Sequence, residues 1–325
     1  MPGSDRQVLA RLGLKLGLAL CLLAGLSAWL ELQARRAPTS FRQKRLGLEA
    51  QAPALQVLVL GPSVGMNAVD PSLWPVPGYN LANNGQSLYY DRALLEQWLP
   101  RLPRLRTVLF SLGRPNLRVT VTSMNESARG FAYRREFGIE HEDPGLRSDP
   151  RNWSAALALD PLKVLAWSLN GSGLVLSDLS ASGWEALPPL DELHQEMELS
   201  PIVARQHAEH QRGMMVEPAS YGLGILGAAL ALCRARGLAA GVFVPPVTAA
   251  FAAESGDGRA QELAALRALC RAQGARFHDY FTDPRFQDRD FADVDHLAAP
   301  AAARFTRILG KDFLQSVGGP IVARP

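Results

Sequence analysis

The sequence predicts an α/β protein in which helices cover both faces of a parallel β-sheet, preceded by an apolar N-terminal helix. Three observations support this fold class. Several short, continuous apolar runs are typical of strands buried on both faces. Amphipathic segments of helical periodicity follow these runs in alternation. Residues 16–30 form an uncharged apolar run between basic flanks.

The N-terminal apolar run is predicted to be a membrane anchor or export signal covering residues 1–32. It is somewhat shorter than the roughly 20 residues that span a bilayer, but residues 12–14 extend it if Lys15 snorkels. No A-x-A cleavage site follows, which favours a retained anchor over a cleaved signal peptide; a buried core helix is the remaining alternative. Both flanks are basic, so charge does not decide the orientation. The long domain after a short N-terminal tail favours a periplasmic location.

The rest of the chain alternates strands and helices. Residues 33–54 are predicted to be a basic linker. We expect strands at 56–60, 107–112, 240–244 and 275–278, and helices at 88–99, 221–236, 259–273 and 299–314. This order implies parallel strands joined by right-handed connections. Residues 114–215 interrupt it and are predicted to form an insertion or cap, with a polar helix around residues 192–212.

Composition excludes several classes of protein. The chain has 325 residues, of which 47% are hydrophobic and 20% charged, so it is not intrinsically disordered. Its net charge of +3 and lack of a clustered basic motif give no reason to expect a nucleic-acid partner. No cofactor is expected. His207 and His210 lie three apart without further ligands, so we expect them on a solvated helix face and predict no metal site.

The three cysteines do not form a zinc-binding pattern. Cys233 and Cys270 are either two buried free thiols, the interpretation we favour, or a disulfide in an oxidising compartment.

Two distant segments carry side chains suited to nucleophilic catalysis. Ser63 follows the first strand, at the edge of a parallel sheet where ligands bind. Asp293 precedes His296 by three residues, so it can hold one imidazole nitrogen while the other serves a nucleophile. Asp295 competes for that role, but in an extended segment it would point away from His296. Alternatively, Ser63 is an ordinary turn residue and the Asp/His segment caps the last helix.

The order of these segments resembles that of the SGNH (GDSL-like) hydrolase superfamily. The resemblance implies a three-layer, flavodoxin-like fold over residues 55–325, with the insertion at about 114–215. It also implies that Ser63 is the nucleophile, His296 the general base and Asp293 its orienting carboxylate.

The same resemblance assigns an oxyanion hole to Ser63, Gly85 and Asn116. Gly85 lies in the polar turn YNLANNGQS, and Asn116 lies in LGRPN, one position later than the asparagine of the family pattern. The first block reads GPSV rather than GDS. Loss of an oxyanion donor costs about 10²–10³ in rate, so the position of Asn116 matters for activity.

The anchor and the second block, YNLANNGQSLYYD, are similar to those of membrane-anchored SGNH-like proteins of bacterial envelope polysaccharide systems. Such proteins serve alginate O-acetylation and teichoic acid D-alanylation. The similarity implies an O-acetyltransferase or acetylesterase anchored in the inner membrane, acting on an envelope polysaccharide beside a multi-spanning membrane acyltransferase. The alternative is a non-catalytic glycan-binding or assembly protein of a polysaccharide export system with a degenerate SGNH fold.

Overall fold

A computed structural model describes residues 3–174, 176–254, 256 and 258–314 of the chain. Residues 1–2 of the predicted anchor and 315–325 of the predicted domain lie outside this range. The described chain is a mixed α/β structure around a five-stranded parallel sheet of order β2-β1-β3-β4-β5. The strands are β1 (Val57–Leu60), β2 (Gly78–Asn80), β3 (Thr107–Ser111), β4 (Ala239–Val244) and β5 (Arg276–Asp279). The predicted α/β class with a parallel sheet is therefore confirmed.

Helices precede, connect and follow the strands. They are α1 (Gly3–Arg36), α2 (Ser40–Gln51), α3 (Ser63–Ala68), α4 (Leu88–Trp98), α5 (Ser127–Phe137), α6 (Ala155–Leu159), α7 (Pro161–Asn170), α8 (Glu192–Glu198), α9 (Pro201–Met214), α10 (Ala219–Ala235), α11 (Ala249–Ala253), α12 (Arg259–Gln273) and α13 (Ala299–Leu314).

The sheet is covered on both faces because alternate residues of each strand point to opposite sides. Leu58 and Phe110 pack into a core shared with α2, α4, α10 and α12. Val59 and Leu109 pack on the other face against α13. The edge strand β2, which is not among the predicted strands, pairs with β1.

The segment predicted to be a linker is not one. Thr39 caps α2 by accepting a hydrogen bond from Arg42 N at 3.4 Å, and Phe41 and Leu48 on this helix are buried in the core. Lys44, three residues from Phe41, is fully buried; its Nζ donates to Asn80 O at 2.8 Å and to Gly183 O. The sequence looked like a linker because only a narrow stripe of α2 is buried and that stripe includes a lysine.

The described residues of the predicted insertion form five α-helices, α5 to α9. Its polar helix is broken in two at Ser200-Pro201. The Ser200 side chain caps α9 by accepting from Val203 N at 3.4 Å, and proline is accepted at the first position of a helix.

Helix α1 is long and apolar enough over Gln7–Arg36 to cross a membrane, and its apolar window is not buried against the protein. Near its end, Leu30 and Ala34 pack against Ala155 of α6 and Val164 of α7. Cys233 and Cys270 are free and buried, as favoured above.

Candidate active site

Ser63 is the first residue of α3, directly after the turn that ends β1. The turn requires glycine at position 61, where φ is +135° and a Cβ atom would lie 2.5 Å from Ser111 O. This geometry sends the chain sharply from strand into helix, so that Ser63 lies at the carboxyl edge of the sheet.

Ser63, His296 and Asp293 meet at this edge. His296 Nε2 lies 2.8 Å from Ser63 Oγ. On the other side of the ring, His296 Nδ1 lies 3.0 Å and 2.9 Å from the Oδ1 and Oδ2 atoms of Asp293. When a hydroxyl, an imidazole and a carboxylate are arranged in this spatial order, a proton can pass from the hydroxyl oxygen to the ring nitrogen while the carboxylate holds the ring in place.

Asp295 also contacts His296, contrary to expectation. The Asp293 Oδ1 atom accepts from Asp295 N at 3.0 Å and from His296 N at 2.8 Å, so the segment is curled rather than extended. The curl turns both carboxylates towards the ring, and Asp295 Oδ1 lies 2.9 Å from His296 Nδ1. The prediction that Asp295 points away was therefore wrong. Asp295 is buried, whereas the Asp293 side chain is 45% exposed.

Helix α9 of the insertion reaches the same carboxylate. Asp295 Oδ2 accepts from Gln211 Nε2 at 2.9 Å and lies 3.2 Å from His207 Nε2. His210 is exposed, but the expectation that His207 faces solvent was wrong. The sequence signal for this contact is the four-residue spacing of His207 and Gln211, which puts both on one helix face.

The paired charges set the protonation of the site. Burial by itself lowers the pKa of His296, but the charges of Asp295 and Asp293 outweigh it and raise that pKa well above 6.5. Burial by itself raises the pKa of Asp295, and the neighbouring His296 and His207 bring it far below its usual range. The hydrogen bond with Asp295 is the largest cause that raises the pKa of His207.

Asp293, Asp295 and His296 also bring three possible metal ligands within 4.8 Å of one another. The ligand atom of His296 that faces both carboxylates is Nδ1, which lies 2.9 Å from each of them. A cation there would have to replace the Nδ1 proton that Asp293 accepts, so the arrangement fits a proton relay better than a metal site.

Gly85 and Asn116, two residues predicted to form the oxyanion hole, both lie in turns. Asn116 is buried, and its Oδ1 accepts from Gly113 N at 2.6 Å, which orients the amide and keeps Nδ2 as a donor. A methyl group on Gly113 would lie 3.5 Å from Val64, the residue after the nucleophile. Gly85 has φ +59°, and its described close neighbours are Arg129 and Glu126. The oxyanion roles of Gly85 and Asn116 stay predictions.

Asn80 supports helix α3, which begins at Ser63, a contact that sequence reasoning missed. It is fully buried at the end of β2, and its Nδ2 lies within hydrogen-bonding distance of three backbone oxygens in and just after α3: Gly65 at 3.0 Å, Met66 at 3.2 Å and Val69 at 2.7 Å. Its Oδ1 accepts from Ala82 N at 3.1 Å. One amide thus ties the helix that carries Ser63 to the edge strand.

A small apolar pocket adjoins the site. Its walls come from the ends of β3 and β4, from Val64 in α3 and from α11, and Asp295 lies at one side. The residues lining it are Val64, Leu112, Gly113, Arg114, Val244, Pro245, Val247, Phe251, Phe281 and Asp295. A pocket of this kind suits a short apolar group attached to a reacting carbonyl.

Comparison with known proteins gives little. The chain matches no protein-family profile and no curated protein. Among solved structures, a protein provisionally described as a platelet activating factor from Streptococcus pneumonia aligns with 92% of this chain and 99% of its own, at 13% identity and a TM-score of 0.35.

Proposed function

We propose that this chain is an SGNH-type serine enzyme that transfers or hydrolyses acyl esters, of the O-acetyl kind, on a cell-envelope polysaccharide outside the cytoplasmic membrane. The observation that carries the proposal is the 2.8 Å contact between Ser63 Oγ and His296 Nε2, with carboxylates at the other ring nitrogen. The strand order β2-β1-β3-β4-β5 also supports it, since this is the order of flavodoxin-like folds.

The proposed reaction begins when His296 Nε2 removes the proton from Ser63 Oγ as that oxygen attacks the ester carbonyl. The carboxylates stabilise the imidazolium that forms. The N–H groups of Ser63 and Gly85 and the Asn116 Nδ2 amide bind the oxyanion. When the C–O bond of the ester breaks, the imidazolium gives its proton to the leaving oxygen.

The acyl-serine then reacts with water, as in an esterase, or with a sugar hydroxyl, as in a transferase. In both cases His296 accepts the nucleophile's proton and gives it to Ser63 Oγ as the acyl–serine bond breaks. The small apolar pocket beside Ser63 favours a short acyl group such as acetyl. The apolar helix α1 supports an inner-membrane anchor with the domain on the periplasmic side. A multi-spanning membrane acyltransferase would supply the acyl group to a transferase.

The test is covalent labelling of the purified full-length protein with a fluorophosphonate, which reacts with activated serines. We expect labelling in the wild type and in Ser148→Ala, which changes an exposed serine, and none in Ser63→Ala. A folded protein that retains the polysaccharide but is not labelled would instead support the non-catalytic binding role.

Transferase and esterase are separated by measuring polysaccharide acetylation in cells that carry Ser63→Ala. Loss of acetyl groups would indicate a transferase, and a gain would indicate an esterase. Unchanged acetylation, together with absence of labelling in the wild type, would contradict the proposal.

A further inference from the structure

Helices α6 and α7 are fixed to the end of the apolar helix α1. The Glu31 carboxylate of α1 caps α6 by accepting from Ala155 N and Ala156 N, each at 3.1 Å, and from Ser154 Oγ at 2.8 Å. Leu30 and Ala34 of α1 pack against the same two helices. The height of α6 and α7 along α1 is therefore set by specific contacts.

If α1 crosses a bilayer, the position of α6 and α7 along α1 places them at the membrane surface. Residues 8–30 of α1, which are apolar or small apart from Arg11 and Lys15, form a helical stretch of about 34 Å at 1.5 Å per residue. The hydrocarbon core of a bilayer is about 30 Å thick. Leu30 and Glu31 then lie where the acyl chains meet the headgroups, and α6 and α7 lie at the same depth.

The two helices expose apolar side chains at this depth. Leu162 and Leu169, seven residues apart and so on one face of α7, are 75% and 73% exposed. Leu157 of α6 and Trp153 just before it are also exposed. A soluble protein surface rarely groups large apolar side chains in this way, and tryptophan is enriched at membrane interfaces.

Basic side chains accompany this apolar surface. Arg35, Arg42, Arg45 and Arg135 line a polar cavity with Glu49, Glu136 and Ala155, the first residue of α6. Arg42 is partly exposed and forms no ion pair within the part of the chain that the structure describes, whereas Arg135 Nη1 donates to Arg151 O at 3.4 Å. The Arg42 charge complements the negative headgroups of anionic lipids.

We propose that α6 and α7 lie in the membrane interface, with Leu157, Leu162 and Leu169 among the acyl chains and the arginines at the headgroups. The occupant of this surface is the bilayer because the surface continues the exposed apolar face of α1 and carries matching charge. The domain thereby has a second contact with the membrane besides its anchor. The proposal rests on α1 crossing a bilayer and is independent of the acyl chemistry at Ser63.

The test uses the full-length protein in vesicles of phosphatidylethanolamine and phosphatidylglycerol. A nitroxide label is attached at Leu162→Cys or Leu169→Cys in a Cys21→Ser background; Cys233 and Cys270 are buried and stay. Two effects on the spin relaxation rate of the nitroxide are compared: that of oxygen, which concentrates in lipid, and that of a nickel complex, which stays in water. We expect the oxygen-to-nickel ratio at both positions to be several-fold higher than at control sites.

The control sites are Leu193→Cys and Ile202→Cys, which replace equally exposed aliphatic residues on α8 and α9. Equal ratios at all four positions would overturn the proposal. Low access of both reagents at Leu162→Cys and Leu169→Cys would also overturn it, since that result means that protein covers the surface. Unfolding midpoints of all variants should match, because the replaced side chains are exposed.

Discussion

The Oδ2 atom of Asp295 lies 3.2 Å from Nε2 of His207, while its Oδ1 atom lies 2.9 Å from Nδ1 of His296. One buried carboxylate thus joins helix α9 of the insertion to the histidine beside Ser63. The insertion therefore forms part of the site rather than only covering it. In addition, the carboxylates of Asp293 and Asp295 each lie 2.9 Å from the same imidazole nitrogen.

The two carboxylates are expected to substitute partly for each other. Replacing the orienting carboxylate of a serine triad by an amide costs about 10⁴ in rate when no other carboxylate is present. We expect Asp293→Asn and Asp295→Asn each to slow fluorophosphonate labelling by much less than this, and the double variant to approach it. Asp288→Asn, an exposed change, is the control. A single variant as slow as the double would show that the other carboxylate plays no part.

Labelling should depend on pH through His296. Protonated His296 cannot accept the Ser63 proton, and its pKa is raised above 6.5 by the neighbouring carboxylates. We therefore expect the labelling rate to rise with pH and to reach half its maximum above pH 6.5. Asp295→Asn removes a negative charge beside the ring, so its midpoint should move to lower pH. A wild-type midpoint at or below 6.5, or no movement in the variant, would contradict the assignment.

The predicted role of Asn116 as an oxyanion donor can be tested by removing its Nδ2 donor while keeping its Oδ1 acceptor. Asn116→Asp keeps an oxygen that can accept from Gly113 N but removes the Nδ2 donor. We expect it to slow labelling by about 10²–10³. Asn116→Ala should do the same and also lower the free energy of unfolding by about 1–3 kcal/mol, since the Gly113 N–H loses its partner. Wild-type labelling by Asn116→Asp would remove Asn116 from the oxyanion hole.

Lys44 should make stability rise with pH. Burial lowers the pKa of Lys44 from 10.5 to about 7, so between these values the unfolded chain binds a proton that the folded chain does not. Raising the pH through this window removes that proton from the unfolded state and stabilises the fold, by at most about 1.4 kcal/mol per pH unit. In urea unfolding, the free energy of unfolding of Lys44→Met should not show this rise. The free energy of unfolding of the wild type should therefore increase relative to that of the variant from pH 7 to 10. Parallel pH profiles for the two proteins would contradict the expectation.

The central strands and the contact of Asp293 with His296 could be predicted from the sequence because both depend on local patterns. The buried runs that became β1, β3 and β4 read as strands without knowledge of their partners, and Asp293 and His296 lie three residues apart. The roles of Asp295 and His207 were missed because they depend on a curl at 293–296 and on a contact between residues 88 positions apart.

Lys44 and Asn80 show why polar residues are the hardest to assign from sequence. Each would ordinarily be expected at the surface, and each is buried here because its partners are backbone oxygens supplied by distant segments. No periodicity of apolar residues marks such a position. Strand β2 was not predicted for a related reason: its three residues are too few to show the apolar pattern of a strand.

Ser63 and His296, whose side chains meet at 2.8 Å, are 233 residues apart in the chain. At synthesis rates of about 5–20 residues per second, roughly 10–50 s separate the appearance of Ser63 from that of His296. Under the proposed function, a nascent chain therefore carries Ser63 without its general base until almost the whole polypeptide exists. A chain terminated before residue 296 would then lack the proposed acyl chemistry.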